Sequence, residues 1–211
     1  VRICQLNIKQ SSNPSDRHHD ALRRIAALGF DHVLLSGWPA VIPGDRDTLP
    51  ALTAVCADCA RHGLTPLIDV SLDRYRADGA PIDPAWIDHG APAFAPHDTD
   101  NHLPGVRLRW HSPRIAAGLV DWWATQLRGA LAAGVTGFCL RAPARVPGRH
   151  WASLTATLRG DPAAGEGAQP TRPLFLAWTP GLRRHSSKTS CRDSSTAPSA
   201  LCRGGTIAAH G

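Results

Sequence analysis

The 211-residue chain contains no methionine, and arginine far outnumbers lysine. A chain that lacks an initiating Met and opens directly on a strand-like segment is expected to be a piece of a longer sequence, or to begin at an alternative start codon. No apolar run approaches the ~18 residues of a membrane span, so no transmembrane helix is expected. Val1 to Ile8 is too short for a secretory leader, and polar residues follow it. No glycine-rich phosphate loop of the dinucleotide or P-loop kind occurs. Cys56-Ala57-Asp58-Cys59 has the spacing of half a zinc site, but it sits on a predicted helix and no second pair follows. No metal and no other cofactor is therefore expected. Six cysteines without a recognisable framework fit a reducing compartment, and a cytoplasmic protein is expected.

The net charge is +6, but +4 of it falls from Arg183 onward, where five Arg/Lys meet one Asp. The basic balance therefore belongs mostly to the tail, which is rich in Ser, Thr, Ala and Gly and has no apolar periodicity. Residues 183–211 read as a disordered tail. Its charges are diluted and no aromatics interleave, so nucleic acid is not the expected partner. A frameshift is a further reading. Codons for Ser195 to Ser199, taken one frame earlier, can give Phe-Asp-Gly-Ala-Phe, and those for Arg203 to Thr206 can give Pro-Trp-Trp-Asp.

Ahead of the tail, strands and helices alternate. Val1 to Ile8 reads as a strand, His18 to Leu28 as a helix with Leu22, Ile25 and Leu28 on one face, and His32 to Ser36 as a second strand. A helix over Leu49 to His62 follows, capped by Thr48, then a strand over Thr65 to Val70. Residues 71–112 form a long Pro- and Asp-rich excursion of the kind that carries function or a small subdomain. The helix Pro113 to Ala133, the strand Thr136 to Leu140, a helix starting near Gly148 and spanning Trp151 to Leu158, and the strand Pro173 to Trp178 complete the pattern. Gly29, Gly63 and Gly134 close three of the helices. The alternation implies right-handed βαβ units and a parallel sheet. A doubly wound sheet and an incomplete (β/α)8 barrel both satisfy that pattern.

Local sequence favours the barrel. Gly29 to Ser36, His62 to Val70 and Gly134 to Phe138 resemble the second, third and fourth barrel strands of the α-amylase superfamily (glycoside hydrolase family 13), in that order and with a long insertion after the third. The resemblance extends to the maltosyltransferase branch, which lengthens α-1,4-glucans from maltose-1-phosphate. That branch reads Phe-Arg-Val-Asp-Asn-Pro where this chain has Phe138-Cys139-Leu140-Arg141-Ala142-Pro143, followed in both by a Pro (Pro147) and a Trp (Trp151). Asp83-Pro84-Ala85-Trp86-Ile87 is similar to its His-Pro-Glu-Trp-Phe. The resemblance covers roughly Val1 to Gly181. It implies an α/β fold, the N-terminal five units of a (β/α)8 barrel, over residues 1–182. It also implies an α-glucan or maltose-1-phosphate as ligand, and the rest of the barrel on a parent chain or a partner.

The departures bear on activity. Retaining enzymes of this kind need two carboxylates ~5 Å apart, one as nucleophile and one as general acid/base. The resemblance places Arg141 at the nucleophile, and arginine stays protonated and cannot attack. Cys139 replaces the Arg that orients the nucleophile. Trp178 stands at the general acid and has no acidic proton to give. On the third strand Asp69 is kept, but the following Asn-His has become Asp73-Arg74. A catalytically inactive chain is expected. Its candidate substrate-binding residues are Asp69, Asp73, Trp38, Arg141 and Trp178.

Each candidate also has a structural reading. Asp69 reads equally as a hydrogen-bond acceptor at a strand end. Trp38, Trp110 and Trp178 can stack on sugar rings, and for each of them packing is the commoner fate. Trp122 and Trp123 read as core. His97, Asp98, Asp100 and His102 can hold a cation, and a solvated loop is the plainer reading. Three functions stay open: a glucan-active enzyme, a non-catalytic glucan-binding or scaffolding domain of a fused maltosyltransferase, and nucleic-acid binding through the tail.

Overall fold

The structure is a computed structural model and describes residues 1–7, 14–36, 48–75, 82–90, 106–159 and 172–178, without the side chains of 14–17 and 48. Trp38, the His97–His102 loop and the tail lie outside the described residues.

The described residues form seven strands and four helices: β1 (Ile3–Asn7), α1 (Pro14–Ala27), β2 (His32–Ser36), α2 (Thr48–Arg61), β3 (Thr65–Val70), β4 (Arg74–Tyr75), β5 (Val106–Arg107), α3 (Pro113–Ala132), β6 (Gly137–Arg141), α4 (Gly148–Arg159) and β7 (Leu174–Trp178). Helix α1 begins four residues before the predicted His18, because Pro14 fits a first helical turn whose N–H groups have no intrahelical partner anyway. Strand β6 begins one residue after the predicted Thr136.

Five strands form one sheet in the order β1-β2-β3-β6-β7, with every neighbouring pair parallel. The spatial order is the chain order. A doubly wound sheet needs a reversal at a switch point, so this sheet is singly wound, as the first five units of a (β/α)8 barrel are. Among the described residues, β1 and β7 each pair on one side only. The excursion contributes a separate antiparallel ribbon, β4 with β5.

Alternation along the strands separates two faces. Val33, Leu35, Ile68, Val70, Phe138 and Leu140 pack under the helices in the main core. Leu34, Leu67, Cys139 and Leu176 form a smaller buried cluster on the opposite face. In α3 the buried residues Ala116, Leu119, Val120, Trp123, Leu127 and Ala130 recur at helical spacing and turn one stripe to the sheet. Trp123 is core, as its position on the helix implies, and half-buried Trp122 meets it edge-on and also touches Tyr75 of β4.

Two glycines fix this packing. Gly134 ends α3 with φ at +102°, a backbone that side chains resist, and a Cβ there would sit 3.0 Å from the Cys56 Cβ. Gly137 opens β6 against β7, where a Cβ would lie 2.4 Å from the Leu174 carbonyl oxygen. The excursion is tied down through Trp86. Asp83 caps a 3-10 turn over Pro84–Trp86 by accepting the Ala85 N–H at 2.8 Å. The Trp86 ring then lies so close to α3 that a Cβ on Gly118 would be 2.9 Å from it.

Candidate functional site at the C-terminal strand ends

In a parallel barrel the C-terminal ends of the strands gather the functional side chains. Register pairs Asp69 of β3 with Cys139 of β6, and Arg141 of β6 with Trp178 of β7. All four lie on the face turned away from the helices, so three strands deliver Asp69, Arg141 and Trp178 to one place.

The three side chains close on one another. Arg141 Nε donates to Asp69 Oδ1 at 3.0 Å, and Nη2 donates to Oδ2 at 2.9 Å. This is the two-point geometry that matches a planar guanidinium to a carboxylate. The Arg141 guanidinium carbon also lies 5.3 Å from the Trp178 ring centroid, within cation–π range. The Arg141 and Asp69 side chains are 18% and 21% exposed, so the pair is shielded without being sealed from water. A phosphate or sugar approaching Arg141 has to compete with Asp69 for the guanidinium fork.

A second ion-paired group sits just beyond β3. Asp73 is buried, and its Oδ2 accepts from Arg145 Nη1 at 3.0 Å and lies 3.6 Å from Arg74 Nε. Its backbone carbonyl accepts the Leu108 N–H, which ties the excursion to this point. Asp69–Arg141 and Asp73–Arg145 are both separated by 72 residues. The sequence carries a signal for this, since 69 and 73, like 141 and 145, are four apart. That spacing is too common to single the residues out, and sequence reasoning passed over Arg145. It also passed over Ala142, which follows Arg141 with φ at +44°, the only non-glycine with positive φ among the described residues.

Other candidates resolve as packing. Trp110 is 1% exposed, its Nε1 donates to the Leu72 carbonyl at 2.7 Å, and its ring lies against His150, so it offers no face to a sugar. Trp151 is buried and donates to the Pro143 carbonyl. Cys56 and Cys59 are buried in α2, and burial pushes their thiols up to about 11 and about 12. Among the described residues they belong to no group of three or more His, Cys, Asp or Glu side chains that could hold a metal ion.

No family model matches the chain. Among curated proteins it is 33% identical over 168 residues to the α-1,4-glucan:maltose-1-phosphate maltosyltransferase of Burkholderia pseudomallei (strain K96243), covering 64% of this chain. Over that stretch the chain is similar to a maltosyltransferase. It spans 14% of the length of that maltosyltransferase. Solved structures agree on the fold. The maltogenic α-amylase AmyB from Thermotoga neapolitana matches 85% of this chain with 46% of its own, at a TM-score of 0.59 and 15% identity. An Anoxybacillus α-amylase matches 92% with 50% of its own, at 0.62 and 12%. Set against the α-amylase-superfamily pattern, this chain has Arg141 and Trp178 where the sequence resemblance puts the nucleophile and the general acid. The superfamily's general acid is a glutamate, and the sole glutamate of this sequence, Glu166, lies outside the described residues.

Proposed function

We propose that this chain is a non-catalytic α-amylase-superfamily barrel unit of the maltosyltransferase kind, with its catalytic centre closed by its own side chains. The Asp69–Arg141 fork stacked on Trp178 carries this reading. A cation now stands where an oxocarbenium-like transition state needs a carboxylate, and it opposes the developing positive charge. The one carboxylate at that point is bound to the cation. Among the described residues β1 and β7 each pair on one side only, which supports a parent or partner chain that supplies further strands. Among the described residues Cys4, Cys56 and Cys59 form no disulfide, which supports a cytoplasmic setting.

The deciding experiment incubates the purified chain with maltose-1-phosphate plus maltooligosaccharide, and separately with starch. No product above a protein-free control is expected. Product that survives Arg141→Ala but is abolished by Asp69→Asn would overturn the inactive reading and place a nucleophile on β3.

A second reading is a glucan-binding or scaffolding role, favoured by the half-buried Trp178 ring at the strand ends. It requires maltooligosaccharide binding that weakens on Trp178→Ala, and unchanged binding in that variant would end it.

A further inference from the structure

Away from the strand ends, two histidines from different helices meet at the surface. His19 lies in α1 and is exposed, and His62 follows the end of α2 and is half-buried. His62 Nε2 and His19 Nδ1 are 3.2 Å apart, and the rings are tilted by 59° with centroids 4.6 Å apart. Two imidazole nitrogens at this distance bond only when a single proton lies between them.

That spacing suits a shared metal ion. With metal–nitrogen bonds of ~2.0 Å, two ligands lie about 2.8 Å apart at a right angle and about 3.3 Å apart at the tetrahedral angle. The observed 3.2 Å falls between these limits. We propose that His19 and His62 form an open two-imidazole site for a late first-row divalent ion, bridging α1 and α2. Water completes the coordination, since no cluster of three or more metal-type side chains occurs among the described residues. Asp58, one turn before His62, is held by Arg61. Cys56 and Cys59 lie buried in the same helix and do not compete.

Neutral imidazoles select Cu(II), Ni(II) and Zn(II) over the hard ions Mg(II) and Ca(II). An ion held from both helices also stabilises the N-terminal part of the fold by mass action.

The test uses the full chain at pH 7.5 with one equivalent of Cu(II), read by pulsed EPR, which counts equatorial imidazoles. The chain has eleven histidines, so the readout is the difference between wild type and variants. A two-imidazole signature is expected in the wild type and in neither His19→Ala nor His62→Ala, with Cu(II) affinity at least about tenfold lower in each. His19→Gln retains a polar group toward His62 and should lose the signature as alanine does, which separates metal binding from helix contact. Zn(II) should raise the melting temperature of the wild type alone, and Mg(II) should leave it unchanged. A signature or affinity that persists in either alanine variant overturns the shared site.

Discussion

Arg141 and Asp69 are 72 residues apart in sequence and meet in a two-point ion pair across adjacent strands, at 2.9 and 3.0 Å. Arg141→Ala removes the fork from a carboxylate that is mostly shielded from water. A loss of about 2 kcal/mol in unfolding free energy is expected. Asp69→Ala should cost a similar amount, and the double variant less than the sum of the two. Urea unfolding of the four proteins measures the difference. Additivity within about 0.5 kcal/mol would show that the pair contributes nothing.

Gly137→Ala should be among the most damaging single changes in the sheet. Its Cβ would sit 2.4 Å from the Leu174 carbonyl oxygen and 2.8 Å from the Leu174 Cβ. Backbone cannot swing aside as a side-chain tip can, so β7 must move away from β6. Loss of about 3 kcal/mol, or release of β7, is expected. Amide exchange at Phe175 and Leu176 reads this directly, and protection equal to wild type would refute it.

Ala142→Asn should stabilise the chain. Ala142 has φ +44° and ψ +48°, which costs a Cβ-bearing residue about 1 kcal/mol, and asparagine tolerates this region better than alanine. The maltosyltransferase branch has Asn at this place. A higher denaturation midpoint with an unchanged slope is the expected result.

The buried thiols of Cys56 and Cys59 give an alkaline limit to stability. Their folded values, about 11 and about 12, lie above the ordinary ~8.5 of an unfolded cysteine. The unfolded chain therefore ionises first, and stability falls as pH rises from about 8.5 toward 12. Cys56→Ala/Cys59→Ala should flatten that decline. In the native protein at pH 8, iodoacetamide should leave both thiols unmodified until denaturant is added, as followed by peptide mass spectrometry.

The helices and strands were legible because their signals are local. The stripe on α3 and the closing glycines Gly29, Gly63 and Gly134, all with positive φ, stand in the sequence itself. The strand order was not legible from periodicity, which carries no record of which strand pairs with which. Residue-level resemblance pointed to the barrel, and the sheet and the related proteins bear it out. The position of Arg141 could be read, and its partner could not. A salt bridge spanning 72 residues leaves no pattern near either end. Trp110 shows the same limit, since only the Leu72 carbonyl 38 residues away decides that its ring faces inward.

Cys139 and Arg141 lie on the same face of β6, where Cys139 is in register with Asp69 and Arg141 is bonded to it. Changing Arg141 to Asp alone removes the counter-ion of Asp69 and sets a second carboxylate beside it, and the two repel. Changing Cys139 to Arg alone places a cation in register with Asp69 but inside the buried cluster of Leu34, Leu67 and Leu176. Each change is therefore unfavourable by itself, and the guanidinium can trade places along β6 only if both positions change together.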